Sequence, residues 1–321
     1  MFAFDILVNN NYGDNMRVRL GYACICNGII GTSSTNYTYS EYLKNNDLIK
    51  LDSVIISNLE ILEEIIDYNI KNNVHFYRMS SKIIPLATKE DVSFDYLNRY
   101  KKYYDRISKK INDSNMRIDF HPDQFAVLNS TKKEVVENTI KILDYHYNLL
   151  SALNIKDKVL VLHIGGNTFG KDNSIRRFIN NFNKLPNYLK ECITIENDDK
   201  VFNVNDVIKI SKELSIPIVL DYHHHNCNKS DFEMEDILDS WEDRIPKMHF
   251  SSPKNKKDYR NHSEYINSDD FISFIEILKK FDRNIDIMIE AKLEDDSLFR
   301  LVRELKYKTN YKFIDDTTFE V

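Results

Sequence analysis

Six of the nine histidines stand at the ends of short apolar runs, and carboxylates end two further runs. His121 ends RIDFH, His163 ends VLVLH, and Glu196 ends ITIE. Asp221 with His223, His224 and His225 ends IVLDYHHH, His249 closes KMH, and Glu290 ends IMIE. His262 follows in the segment after His249. Imidazole and carboxylate together suit borderline divalent ions such as Zn²⁺ or Mn²⁺. About eight such groups exceed the shell of one ion, which takes roughly four to six ligands, so a multinuclear site is expected. Two ions roughly 3.5–4 Å apart suit phosphodiester hydrolysis, because they stabilise both the attacking and the leaving oxygen of an in-line displacement. The same donors could instead serve a sugar isomerase or epimerase, where ions polarise a hydroxyl and a carbonyl. A serine nucleophile is disfavoured because no G-x-S-x-G is present, and the histidines beside Cys227 are better explained by metal.

Such residues meet only if the apolar runs are strands that end on one side. The runs begin at Arg19, His75, Met116, Val159, Cys192, Pro217, Pro246 and Asp286, at spacings of 25 to 56 residues that each leave room for a crossover helix. Their richness in Val, Ile and Leu is that of parallel strands buried on both faces. Between them the period is helical. In 52–72, Ile55, Leu59, Leu62 and Ile66 share a face while Glu60, Glu63 and Glu64 point away, with Asp52 or Ser53 as cap. Phe271, Phe274, Ile275 and Leu278 repeat the pattern. Eight such units predict a single-domain α/β fold, the (β/α)8 TIM barrel of about 250 residues, whose active sites lie at the C-terminal strand ends. The expected organisation is an N-terminal extension (1–18), a barrel domain (19–293) and a C-terminal helix and tail packed on it (294–321). A doubly wound open sheet is the second choice. Its G-x-G-x-x-G fingerprint is missing, and the last of only seven glycines is Gly170.

Composition narrows the function. With 42% hydrophobic residues among 321 the chain has material for a core, and no apolar run approaches a membrane span. The start has no basic segment followed by an apolar run, so a cytoplasmic location is expected. The four cysteines lack C-x-x-C spacing and are expected to be reduced. No phosphate-cradling glycine loop is present, so no nucleotide cofactor is expected. The formal charge of −6, from 44 basic and 50 acidic residues, argues globally against a nucleic-acid partner. Locally the balance differs, because two or three bound ions would add roughly +4 to +6 at the barrel mouth. Lys254, Lys256, Lys257 and Arg260 lie after the seventh strand on that side, and Arg78 ends the second. Lys254, Lys257 and Arg78 are therefore candidates for phosphate contacts. Lys101, Lys102, Arg106, Lys109 and Lys110 lie on a helix and read as a solvated surface.

The motifs FYRMSS, HPDQFAVLNS, VLHIGG, IENDD, LDYHHHNC, PKMHFS, HSEYI and DIMIEAK closely resemble the UV damage endonuclease family, which is similar in architecture to endonuclease IV. The resemblance runs in order from about Arg19 to Lys292, at every strand. It implies that His121, His163, Glu196, Asp221, His249, His262 and Glu290 bind two or three divalent ions, Mn²⁺ above all, with Zn²⁺ or Mg²⁺ as alternatives. Glu196, Glu290 and Lys247 would be catalytic. Lys247 matches a lysine that in this family can carry a carboxylate acquired from carbon dioxide. Unmodified, it would need a neutralising partner. Strand alternation places His223 on the Asp221 side. The family pattern favours His224, which is the preferred reading. The implied activity is nicking of UV-damaged double-stranded DNA immediately 5′ of cyclobutane pyrimidine dimers and 6-4 photoproducts, leaving 3′-hydroxyl and 5′-phosphate ends. A monomer associated with the nucleoid would suffice. Linked pyrimidines weaken the duplex, so extruding them costs less than extruding normal bases. Gln124 and Phe125 match the pair that probes the gap opened opposite the lesion, and Tyr22 and Asn27 are candidates for the lesion pocket. Asp123 stands where a small residue is common in the H-P-x-Q motif.

Overall fold

In the computed structural model, residues 15–45, 47–92 and 94–321 are described, so most of the expected N-terminal extension (1–14) lies outside the described residues. Eight short strands carry the apolar runs: β1 (Arg17–Ala23), β2 (Phe76–Arg78), β3 (Arg117–Asp119), β4 (Leu160–His163), β5 (Ile193–Glu196), β6 (Ile218–Asp221), β7 (Lys247–Phe250) and β8 (Ile285–Ile289). They are parallel, in the order β3-β2-β1-β8-β7-β6-β5-β4. A bridge between Phe120 and Leu160 joins the two ends, with the Phe120 N–H donating to Val159 O at 3.2 Å and Val161 N–H to Phe120 O at 3.0 Å. The sheet is therefore a barrel, and the doubly wound alternative is excluded.

The principal crossover helices are α1 (Leu48–Lys71), α2 (Lys101–Asp113), α3 (Lys133–Ala152), α4 (Lys171–Asn183), α5 (Val204–Leu214), α6 (Met234–Asp239), α7 (Ser268–Leu278) and α8 (Glu294–Lys308). Helix α1 buries Ile55, Leu59, Leu62 and Ile66 as its period requires. Its start is a correction: the cap is Asp47, whose carboxylate accepts from the Lys50 N–H at 2.9 Å. Leu51 is also apolar and buried, which extends the helix one turn, and Asp52 pairs with Arg99 instead. On α2, Arg106 pairs with Glu63 at 2.7 Å and Lys110 with Asp67 at 2.6 Å, both on α1. Those cations tie helices together. After α8, strands β9 (Lys312–Phe313) and β10 (Thr318–Glu320) return, and β10 pairs antiparallel with Arg17–Arg19 of β1. No helix among the described residues is long and apolar enough to cross a membrane.

The main core lies between sheet and helices. Two small apolar clusters stand apart from it, Val159/Val161/Val219/Trp241 and Ala23/Phe76/Met288. By strand alternation their strand residues face the barrel interior. Polar layers occupy the rest. At the N-terminal end the buried Asp286 accepts from Arg19 at 2.6 and 2.7 Å and from Arg117 at 2.8 Å.

His146 on α3 is fully buried, its ring centroid 4.5 Å from Phe120 and 5.0 Å from Tyr145, and neither nitrogen has a hydrogen-bond partner among the described residues. Burial pushes its pKa down to about 3. The folded protein thus holds this ring neutral while the unfolded chain protonates it below about 6.5, so stability falls as pH drops from 6.5 toward 3. A His146→Leu variant is expected to lose less stability than the parent between pH 7 and pH 5 in urea unfolding. Parallel pH profiles would refute this assignment.

Candidate metal centre

His121, His163, Glu196, Asp221, His224, His249 and Glu290 converge on the C-terminal mouth, whereas His223 and His225 do not join them, and Glu196 at the end of β5 stands at their centre. Its Oε2 lies 2.7 Å from His121 Nε2 and 3.6 Å from His163 Nε2. Its Oε1 lies 2.8 Å from His249 Nδ1 and 3.6 Å from His224 Nδ1. Glu290, next after β8, places Oε1 at 3.3 Å from His249 Nδ1, and Asp221 places Oδ2 at 3.6 Å from His224 Nδ1. Three groups have ligand atoms within 4.8 Å of one another: His121/His163/Glu196, Glu196/Asp221/His224 and Asp221/His249/Glu290. Glu196 and Asp221 each belong to two groups. Shared carboxylates are what a multinuclear centre needs, since each can bridge neighbouring ions.

The donors fit divalent ions. His163 Nδ1 and Asp221 Oδ2 are buried without a hydrogen-bond partner among the described residues. Burial pushes His249 down to about 4 and also lowers His163 and His262. Burial opposes ionisation of Glu196, but His249, His163 and His121 outweigh it and hold the carboxyl well below its usual range. Glu290 is likewise held low, against burial, by His249 and Arg78. Neutral imidazole and ionised carboxylate are the forms that ligate metal. Burial pushes Asp221 up to about 7, while His224, in spite of burial, is raised to about 9 by Asp221 and Glu196.

At the triple histidine the backbone changes its local geometry. The Asp221 carboxylate accepts from the His224 N–H at 2.7 Å and caps a short helix, Tyr222–Cys227. From there each residue turns by about 100° rather than alternating across a strand. His224 therefore joins Glu196 and Asp221. His223 turns away, with Nε2 3.3 Å from Arg260 O and 3.8 Å from Cys227 Sγ. His262 falls in none of the three ligand groups, its ring centroid 5.6 Å from His223 and 6.4 Å from His224.

Beneath the ligands, the fully buried Lys247 ammonium contacts the equally buried Asp119 carboxylate. Burial pushes Lys247 down to about 8. Burial works against Asp119, but Lys247 and Arg78 outweigh it and hold the carboxyl below its ordinary value. Asp119 is thus the neutralising partner that Lys247 requires. Sequence reasoning missed it, although Asp119 precedes His121 by two and strand alternation points both inward. Arg78 is a correction. Only 6% exposed, it reaches Glu290 Oε1 with Nη1 at 2.7 Å and contacts His249 Nε2 through Nη2 at 2.6 Å. Those partners leave it no free reach to a phosphate at the mouth. Tyr22 is a second correction: it is fully buried in the barrel wall and donates its hydroxyl to Asn69 Oδ1 of α1 at 2.7 Å. Strand parity is the cause, because Tyr22 falls on the outer face between the inward Gly21 and Ala23.

The remaining expected residues lie on loops at the rim. Asn27 is exposed and anchored to α8, its backbone N–H donating to Asp295 Oδ1 at 2.7 Å. Gln124 and Phe125 are exposed in the loop after β3, where the Phe125 N–H donates to Asp123 Oδ1 at 3.1 Å. Asp123 therefore shapes the turn that presents them. Lys254 lies 3.6 Å from Asp258, and Lys257 and Arg260 line a cavity of about 400 Å³ with Asn226, Cys227 and Tyr259. Glu294, which sequence reasoning also missed, adopts a left-handed φ of 39°, and burial with nearby Glu290 pushes its carboxyl up to about 8.

Comparison with known proteins agrees with this architecture. The profile of the UV-endonuclease UvdE family matches residues 18–319. The chain is 38% identical over 278 residues to a UV DNA damage endonuclease of Bacillus thuringiensis subsp. konkukian, covering 84% of this chain and 88% of that one. The crystal structure of SacUVDE superposes with a TM-score of 0.83 at 30% identity, covering 90% of this chain and 98% of that one. Endonuclease IV from Thermus thermophilus shares the fold, with a TM-score of 0.55 at 11% identity over 91% of this chain and all of that one. With the match spanning every barrel strand and both ends of the ligand cluster, the chain belongs to the UV-endonuclease UvdE family.

Proposed function

We propose that this protein is a divalent-metal-dependent repair endonuclease that nicks duplex DNA immediately 5′ of UV photoproducts, leaving a 3′-hydroxyl and a 5′-phosphate. The observation that carries the reading is the convergence of His121, His163, His249 and His224 on the two oxygens of Glu196, in a chain of this family. His121, His163, Glu196, Asp221, His224, His249 and Glu290 would hold two or three ions, with His262 adjacent. Mn²⁺ is the expected metal, and Zn²⁺ or Mg²⁺ are the alternatives. Such ions supply Lewis acidity and lower the pKa of water.

The chain's own residues prepare the site for that chemistry. Arg78 locks Glu290 and His249 into one orientation by contacting both. Its charge, with those of Lys247 and Asp119, lies beneath the ligands and is sealed from solvent. The rim is arranged to hold damaged DNA. The exposed Phe125 ring can stack on a base, and the Gln124 amide can replace pairing lost opposite the lesion. Lys254, Lys257 and Arg260 offer cations to the phosphates on the β7 side. The protein is read as a monomer acting in the cytoplasm on nucleoid DNA.

The test is incubation of purified protein with UV-irradiated and undamaged supercoiled plasmid, with Mn²⁺ or with EDTA. Nicking is expected only for irradiated plasmid with Mn²⁺. An enzyme that leaves irradiated plasmid supercoiled in Mn²⁺ would not be this nuclease.

A further inference from the structure

Among the described phenylalanines two stand more than half exposed: Phe125 at 75% and Phe169 at 77%. Phe125 belongs to the proposed lesion probe, whereas Phe169 has no role so far. It lies in the loop after β4, six residues beyond His163. That loop and the one carrying Phe125 leave adjacent strands at the barrel seam, where the His121 and His163 rings stand 5.0 Å apart.

The two loops are stitched together. The Asn129 side-chain amide of the β3 loop donates to Gly166 O at 2.7 Å. Gly165, at φ +109°, lies so close that a Cβ there would meet Asn129 Oδ1 at 2.4 Å. Arg177 of α4 clamps both loops, donating to Asn129 O at 2.8 Å and to Thr168 O at 2.6 Å. Asn173 Nδ2 donates to Phe169 O at 2.7 Å. On this fixed platform Phe169 holds a φ of 63°, a left-handed backbone that bulky side chains strongly disfavour. A large apolar ring is thus held in solvent on strained backbone, at a position where burial gains nothing. Strain retained against such costs marks functional positions. Arg176 of α4 is exposed and makes no ion pair among the described residues, its Nη2 donating to Asn173 Oδ1 at 3.1 Å.

We infer that Phe169 is a second DNA-contacting ring, stacking on a base of the damaged duplex so that this chain grips the lesion region through two phenyl groups presented on one rigid platform. The inference rests on the endonuclease reading above. It extends it by adding a contact on the β4 side of the mouth, with Arg176 facing the adjacent phosphate.

The experiment uses a duplex oligonucleotide with one cyclobutane pyrimidine dimer, followed by steady-state nicking in Mn²⁺. Phe169→Ala is expected to raise KM roughly 10- to 100-fold, the range for losing one base–aromatic stack, with the loss carried by KM. Phe169→Trp should restore KM, and Phe169→Leu, apolar without a ring to stack, should not. Phe169→Gly separates stacking from folding: it relieves the left-handed backbone, so thermal stability should rise while KM worsens. Equal KM values for the parent and Phe169→Ala would overturn the inference, as would a KM rescued by Leu as fully as by Trp. If the parent itself fails to nick the dimer duplex, the endonuclease reading fails instead, and the two failures are distinct.

Discussion

Replacing Glu196 by Gln is expected to abolish Mn²⁺-dependent nicking of UV-irradiated plasmid, by roughly 10³-fold or more. The side chain keeps its shape, but one oxygen becomes an amide nitrogen that cannot ligate metal, and the negative charge is lost. Glu196 is the group that His121 and His163 approach on one oxygen and His249 and His224 on the other. Two of the three ligand groups contain it. No neighbouring carboxylate can substitute, because neither Asp221 nor Glu290 belongs to the group that His121 and His163 form with Glu196. The measurement is single-turnover nicking across a Mn²⁺ series, with metal content of the purified variant as the second readout. Activity within tenfold of the parent, with unchanged metal content, would show that Glu196 is not the bridging ligand.

Asp119→Asn is expected to give the largest loss of stability among the substitutions considered, about 3–5 kcal/mol, because it leaves a fully buried lysine without its counter-charge. Arg78 also lies 3.6 Å from Asp119, but it keeps Glu290 as a partner, so the loss falls mainly on Lys247. The sign with pH follows from the direction of the lysine shift. Burial lowers Lys247 to about 8, below the value of about 10.4 in an unfolded chain. Between those values the folded state binds fewer protons than the unfolded one, so this group adds stability as pH rises. In Asp119→Asn the lysine pKa falls further and that window widens downward, so the variant should recover more stability between pH 7 and 9 than the parent does. The double variant Asp119→Leu/Lys247→Met removes both charges and should regain most of the loss. A double variant as unstable as the single one would locate the cost in packing rather than in charge. Chemical denaturation at pH 7 and pH 9 makes both comparisons.

The barrel was legible because its signals are local. Each apolar run is a strand within one or two residues of the expected place, and α1 and α7 bury the faces that their periods select. The strand-end histidines and carboxylates were legible for the same reason: a parallel barrel sends every strand's C-terminal end to one mouth, so position in the run fixes position in the fold. The error at Tyr22 has another cause. It was assigned from nearness to a strand end, whereas facing depends on a one-residue register that flips every side chain. Arg78 does face the interior, but its partners Glu290 and Asp119 come from other strands of the closed barrel. Counting from the ligands would have turned Tyr22 outward, and it would have turned Asp119 and Lys247 inward.

The eight-unit architecture, the end of the barrel where polar groups gather and the residue types able to hold metal ions could thus be read from local sequence. Which buried charges meet depends on closure of the sheet. Asp119 and Lys247 are 128 residues apart, and Arg78 and His249 are 171 apart. Such pairs form across the barrel interior, where closure of the sheet brings together strands that share no local signal. The seating of His224 rather than His223 beside Glu196 likewise required the Asp221 cap, because a helical turn and a continued strand present different histidines from the same three letters. The exposure of Phe169 lay beyond reach as well, since an aromatic in a loop reads as core until the packing around it is known.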